Sequence, residues 1–153
     1  MKSFKLFIVI IQSTLLAVLS GCLSAENKSI NQEDSTCPKC HMEIPKSHIH
    51  TATITRNKKV YSFDDIGCMI LWCSQNSINL PKVEPKVFTN DTKKYIDAFK
   101  AHYKINEKTP MSYGFSAYEN QREGTIDFEE VILRMLRGEH MANPKIRKQI
   151  LGL

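Results

Sequence analysis

The sequence predicts an α+β fold in which two related ββα units form one compact, pseudo-symmetric domain over residues 37–138. Two observations predict it. Strand, turn and helix signals follow one another from His48 to Cys73, and five identities recur 65 residues on: Pro45, Ser47, Ala52, Phe63 and Leu71 return as Pro110, Ser112, Ala117, Phe128 and Leu136. The acidic pair recurs too, with Asp64-Asp65-Ile66 after Phe63 becoming Glu129-Glu130-Val131 after Phe128.

In chain order, residues 1–21 read as a lipoprotein signal peptide. Lys2 and Lys5 precede the apolar run Leu6 to Leu19, which is shorter than the roughly 20 residues a spanning helix needs. Leu19-Ser20-Gly21-Cys22 has the form of a bacterial lipobox, so Cys22 is expected to carry the lipid and become the new N-terminus. Several acyl chains hold a protein to a bilayer far more firmly than one. The expected location is therefore a bacterial membrane surface, facing the periplasm or the cell exterior. Residues 22–36 are polar apart from a few small or isolated apolar side chains and read as a flexible tether. The formal charge of +5 falls to about +3 once the leader is removed, which is too mild to imply nucleic acid. The remaining chain of about 130 residues suffices for one core.

Within the domain, His48 to Arg56 and Val60 to Phe63 read as a hairpin joined at Asn57-Lys58-Lys59. Asp64 is the expected cap of a helix that places Ile66, Met69, Ile70 and Cys73 on one face. Val83 to Thr89 reads as a strand despite Pro85, while Thr92 to Tyr103 fits either a helix or a second hairpin arm. The second unit uses Gln121-Arg122-Glu123-Gly124 as its turn and ends its helix at Gly138. Residues 139–153 read as a mobile basic tail.

Chemistry concentrates in Cys37-Pro38-Lys39-Cys40-His41-Met42. Thiolate and thioether sulfur suit Cu(I), whereas a structural zinc knuckle gains nothing from a methionine beside its cysteines. On an extended chain Cys40 and Met42 would share a face and His41 would point away. A disulfide or redox pair between Cys37 and Cys40 is the competing fate of such a motif outside the cytosol. In the repeat, Cys40, Met42, Cys68 and Met69 align with Ile105, Glu107, Leu133 and Arg134, so these sulfurs belong to the first unit alone. The second unit offers Met111, in the loop Thr109-Pro110-Met111-Ser112, to close a site over Cys40 and Met42.

Cys37-x-x-Cys40-x-Met42, then Phe63-Asp64-Asp65-Ile66-Gly67-Cys68-Met69, Tyr95-Ile96-Asp97-Ala98 and Thr109-Pro110-Met111, taken together, resemble the NosL lipoproteins over about residues 20–135. The resemblance implies a non-enzymatic carrier with two related α+β units that binds Cu(I) through cysteine, methionine and histidine. It also implies delivery of that copper to nitrous oxide reductase, with the enzyme and its maturation machinery as partners. By motif, Cys40, Met42 and Met111 are the implied ligands, with Cys37, Cys68 and His41 as further candidates. His41 stands where that family's cysteine-glycine-methionine segment has glycine.

Other donors have plainer readings. Met69 and Cys73 belong to the apolar helix face, Trp72 packs, His48 and His50 sit on one strand face, and His102, His140 and Met141 are structural or exposed. Two alternatives to the copper carrier stand. A thiol-disulfide oxidoreductase would use Cys37 and Cys40, though no βαβ pattern surrounds them. A structural zinc lipoprotein would collect Cys37, Cys40, Cys68 and Cys73.

Overall fold

A computed structural model describes residues 35–153, which fall within one packing unit, Asn31–Leu153. The leader, Cys22 and most of the tether lie outside the described residues. No described helix is long and apolar enough to cross a membrane.

The α+β class holds, with three α-helices and two antiparallel sheets among the described residues. Strand β1 (Ala52–Arg56) pairs with β2 (Lys59–Phe63) in a hairpin whose register sets Ala52 opposite Phe63. Its turn is two residues rather than three. Asn57 and Lys58 have φ of 51° and 61°, the double left-handed conformation that matches the twist of a tight hairpin, and Lys59 is already in β2. The first strand starts at Ala52, not His48, because His48 and His50 themselves have positive φ and the Thr51 amide turns back onto the His48 carbonyl at 3.0 Å. The two histidines are thus turn residues and share no strand face. His48 Nδ1 lies 3.3 Å from the Tyr95 hydroxyl and His50 Nδ1 3.2 Å from Ser116 Oγ.

Helix α1 (Ile66–Gln75) follows β2 directly. Ile66, Met69, Ile70 and Cys73 are all buried, as their spacing predicts, and pack with Ile54 and Phe63. Each such side chain removed from water contributes roughly 1.5–3 kcal/mol. Trp72 packs beside Tyr61 and Phe63, at 5.1 and 5.6 Å between ring centroids. Strands β3 (Lys86–Phe88) and β4 (Tyr95–Asp97) form a second hairpin, so the ambiguous segment begins as a hairpin arm and continues in a single 3-10 turn, Ala98–Lys100, with no α-helix in it. They complete a four-stranded sheet in the order β2-β1-β3-β4.

The second half repeats the order of signals but not the pairing. Strand β5 (His102–Lys104) pairs with β6 (Ser116–Tyr118), and Ile126 bridges Tyr103 of β5 on the other side. A local hairpin between β6 and Ile126 is therefore replaced by a central, nonlocal strand. Tyr103 explains the preference: it is fully buried, stacks on Phe128 at 5.5 Å and donates its hydroxyl to the Ala98 carbonyl. Helix α2 (Phe128–Arg137) is capped by Asp127 and stopped by Gly138 at φ 74°, and it buries Phe128, Val131 and Met135. The expected mobile tail contains a helix, α3 (Pro144–Leu151), capped by Asn143. Its Ile146 and Ile150 border a cavity shared with Tyr113 and Phe115, and its start is set by the Asn143 cap and Pro144.

Candidate metal centre

Cys37 to Met42 forms a closed knuckle. The Cys37 amide donates to the Met42 carbonyl at 2.8 Å, the His41 amide donates to the Cys37 carbonyl at 2.9 Å, and Thr36 bridges Glu43 just outside. Closing so short a loop needs one left-handed residue, and His41 supplies it with φ 63°. That conformation costs an L-residue with a Cβ about 1–2 kcal/mol and favours glycine. The glycine position of the resembled motif therefore has a backbone cause. It also removes the period-two argument, since the chain from Cys40 to Met42 is not extended. The His41 side chain is exposed.

Helix α1 brings the other half of the site. Asp65, not Asp64, is the N-cap: its backbone is extended and its Oδ1 accepts the Gly67 amide at 2.9 Å. That leaves the neighbouring Asp64 carboxylate free to turn toward the knuckle, where Oδ1 accepts the Cys40 thiol at 3.0 Å. Cys68, in the first turn of α1, completes the group. The ligand atoms of Cys37, Cys40, Asp64 and Cys68 all lie within 4.8 Å of one another. Cys37, Cys68 and Asp64 are buried while Cys40 is half-buried at the rim.

The thiols are unequal. The Cys68 thiol, donating to Cys37, brings the Cys37 thiol down to about 6, helped by the amides of Cys40, Asp64 and Lys39 against the cost of burial. Donation to Cys37, followed by burial, drives Cys68 strongly upward. Burial and the bond to Asp64 push Cys40 up to about 12. The directions make Cys37 the most acidic of the three thiols and Cys40 and Cys68 the ones whose protons are held more tightly. Asp64 Oδ2 is buried without a hydrogen-bond partner among the described residues, an arrangement that a cation would relieve. Three sulfurs and a carboxylate oxygen of Asp64 within 4.8 Å of one another can hold a metal.

No family model, curated protein or solved structure matches this chain. The donor set therefore rests on its own geometry. Of the six residues proposed from sequence, Cys37, Cys40 and Cys68 converge. His41 turns outward, and Met42 is 46 % exposed beside the rim with its backbone amide directed at the Cys40 sulfur. Met111 is half-buried, and its amide donates to Asp65 Oδ2 at 3.1 Å, one residue from the cluster. Cys73 lies outside the group, buried, with its thiol pushed up to about 11 by desolvation. This replaces the four-cysteine set by three cysteines and Asp64. The sequence predicts Asp64 as the cap; because Asp65 takes that role, Asp64 lies just before the helix and its carboxylate meets the Cys40 thiol, a role no helical spacing signals.

Proposed function

We propose that the protein is a Cu(I) carrier, anchored by lipid outside the cytoplasm, that loads one copper ion on Cys37, Cys40 and Cys68 and hands it to a copper enzyme. The observation that carries this reading is the graded exposure of the three thiols. Two are fully buried and one, Cys40, is half-buried, two residues before the exposed Met42. A structural site is closed on all sides, whereas a site that passes metal on must let an acceptor's ligand bind before its own let go. In this reading Cys40, the half-buried ligand, is the one an acceptor reaches first, and Met42 is an outer sulfur that assists the exchange. Three polarizable sulfurs suit Cu(I) over harder ions, and loading releases the protons held by Cys40 and Cys68. The motif resemblance supports nitrous oxide reductase as the acceptor, with the carrier itself performing no catalysis.

One observation favours a second reading. Asp64 supplies an oxygen donor that Cu(I) does not need and Zn(II) accepts readily, so a Cys3Asp zinc site is the alternative. Competition of the reduced protein with colorimetric chelators separates them. The copper reading expects Cu(I) to be retained and Zn(II) surrendered; tighter retention of zinc would install the alternative.

A further inference from the structure

The segment Thr109–Gly114 crosses from the second half of the fold onto the start of α1, where it is pinned at two points. Asp65 accepts the Met111 amide, and Thr109 adds a hydroxyl bond to the same carboxylate while accepting the Gly114 amide at 3.2 Å. The Tyr113 ring seats directly on Gly67: a Cβ built there would stand 2.3 Å from Tyr113 Cδ2 and 2.6 Å from Cγ. Gly67 has no need of a glycine's backbone freedom in the body of a helix, so its value is the flat seat it leaves for the ring. Tyr113 is also edge-on to His140, with centroids 5.0 Å apart. Seated on Gly67, the ring rests on the first turn of α1, one residue before Cys68, and burial first, then the proximity of Cys68, Asp65, Cys40 and Asp64, pushes its phenol up to about 12.

The geometry points to Tyr113 as the positioning residue of the metal centre: latched on Gly67, it holds the Thr109–Gly114 strap, with Met111, over the buried thiols and sets how fast metal leaves them. This rests on the carrier reading for its purpose but not for its test. The strap is held at Asp65 and Gly67, the residues that flank Asp64 and Cys68 in the chain, while Cys40 is half-buried and Met42 exposed. A latch on one face lets a bound ion stay ordered until the strap lifts.

The test uses the full chain, reduced and metal-free, with timed alkylation of each cysteine read by mass spectrometry. Removing the ring in Tyr113→Ala should speed alkylation of Cys37 and Cys68 on the order of tenfold, while Cys73, buried in the core, keeps its wild-type rate. Tyr113→Phe keeps the ring on Gly67 and should match wild type. Unchanged rates at Cys37 and Cys68 in Tyr113→Ala would overturn the latch. So would acceleration of Cys73 in parallel in both Tyr113→Ala and Tyr113→Leu, which would make Tyr113 an ordinary core residue. Loaded with either Cu(I) or Zn(II), Tyr113→Ala should release metal to a chelator faster than wild type. A chain that refuses Cu(I) but shows the alkylation pattern would sink the copper reading and leave the latch standing.

Discussion

Asp65 joins the two halves of this fold through one carboxylate: Oδ1 caps helix α1 at the Gly67 amide and Oδ2 holds the Met111 amide at 3.1 Å. Burial, opposed by these bonds, lifts its value from 3.8 to about 6. The folded state therefore binds a proton more readily than the unfolded chain. The stabilisation is complete below about pH 4 and is lost as pH rises to about 6. At 1.36 kcal/mol per unit the loss is about 3 kcal/mol. Asp65→Asn has no such titration but loses one acceptor. It should be less stable than wild type at pH 4, with the gap narrowing toward pH 6.5 in urea denaturation of metal-free protein. A gap that widens with pH would contradict the assignment.

The shared proton among the thiols makes a second expectation. At neutral pH the metal-free protein should already show ultraviolet thiolate absorbance from Cys37, with a midpoint near 6. Cys68→Ala removes the donor that stabilises that thiolate and should move the midpoint upward. An unmoved midpoint would assign the thiolate elsewhere.

His41→Gly relieves a left-handed residue at φ 63°. The strain of about 1–2 kcal/mol is partly offset by glycine's greater unfolded-state entropy, so the net gain should be about 0.5–1 kcal/mol. Because the imidazole is exposed, copper affinity should not change. A weaker complex would return His41 to the ligand set.

These contrasts show what was legible in the chain. The face of Ile66, Met69, Ile70 and Cys73 could be read because helical burial has a period, and the Asn57-Lys58 hairpin because its turn is local. Which of two adjacent aspartates caps the helix could not, since a shift of one residue decides it and both chemistries suit. His41 hid the knuckle's positive φ behind a side chain that favours neither conformation. The second half was misread as a hairpin because the true partner of Ile126 is Tyr103, a contact fixed by burial rather than by sequence distance. Helix α3 has local signals, the Asn143 cap and Pro144 at its first position, which the basic composition of the tail masks.

Met111→Ile keeps volume and apolarity while removing the thioether, so folding should suffer by under about 1.5 kcal/mol. If the strap delivers a sulfur donor, Cu(I) affinity should fall measurably in chelator competition. Met135→Leu, in the core at 2 % exposure, should leave it unchanged. Equal affinity for Met111→Ile and wild type would restrict the strap to shielding.

In the proposed carrier, Cys37, Cys40 and Cys68 hold one copper ion together. Native mass spectrometry of anaerobically loaded protein tests it most directly, across wild type and the four single Cys→Ser variants of the domain. One Cu(I) should survive chelator challenge in wild type and in Cys73→Ser, and be lost or sharply weakened in Cys37→Ser, Cys40→Ser and Cys68→Ser. A wild type that carries one zinc and refuses Cu(I), or a Cys73→Ser variant that loses copper as readily as the other three, would contradict it.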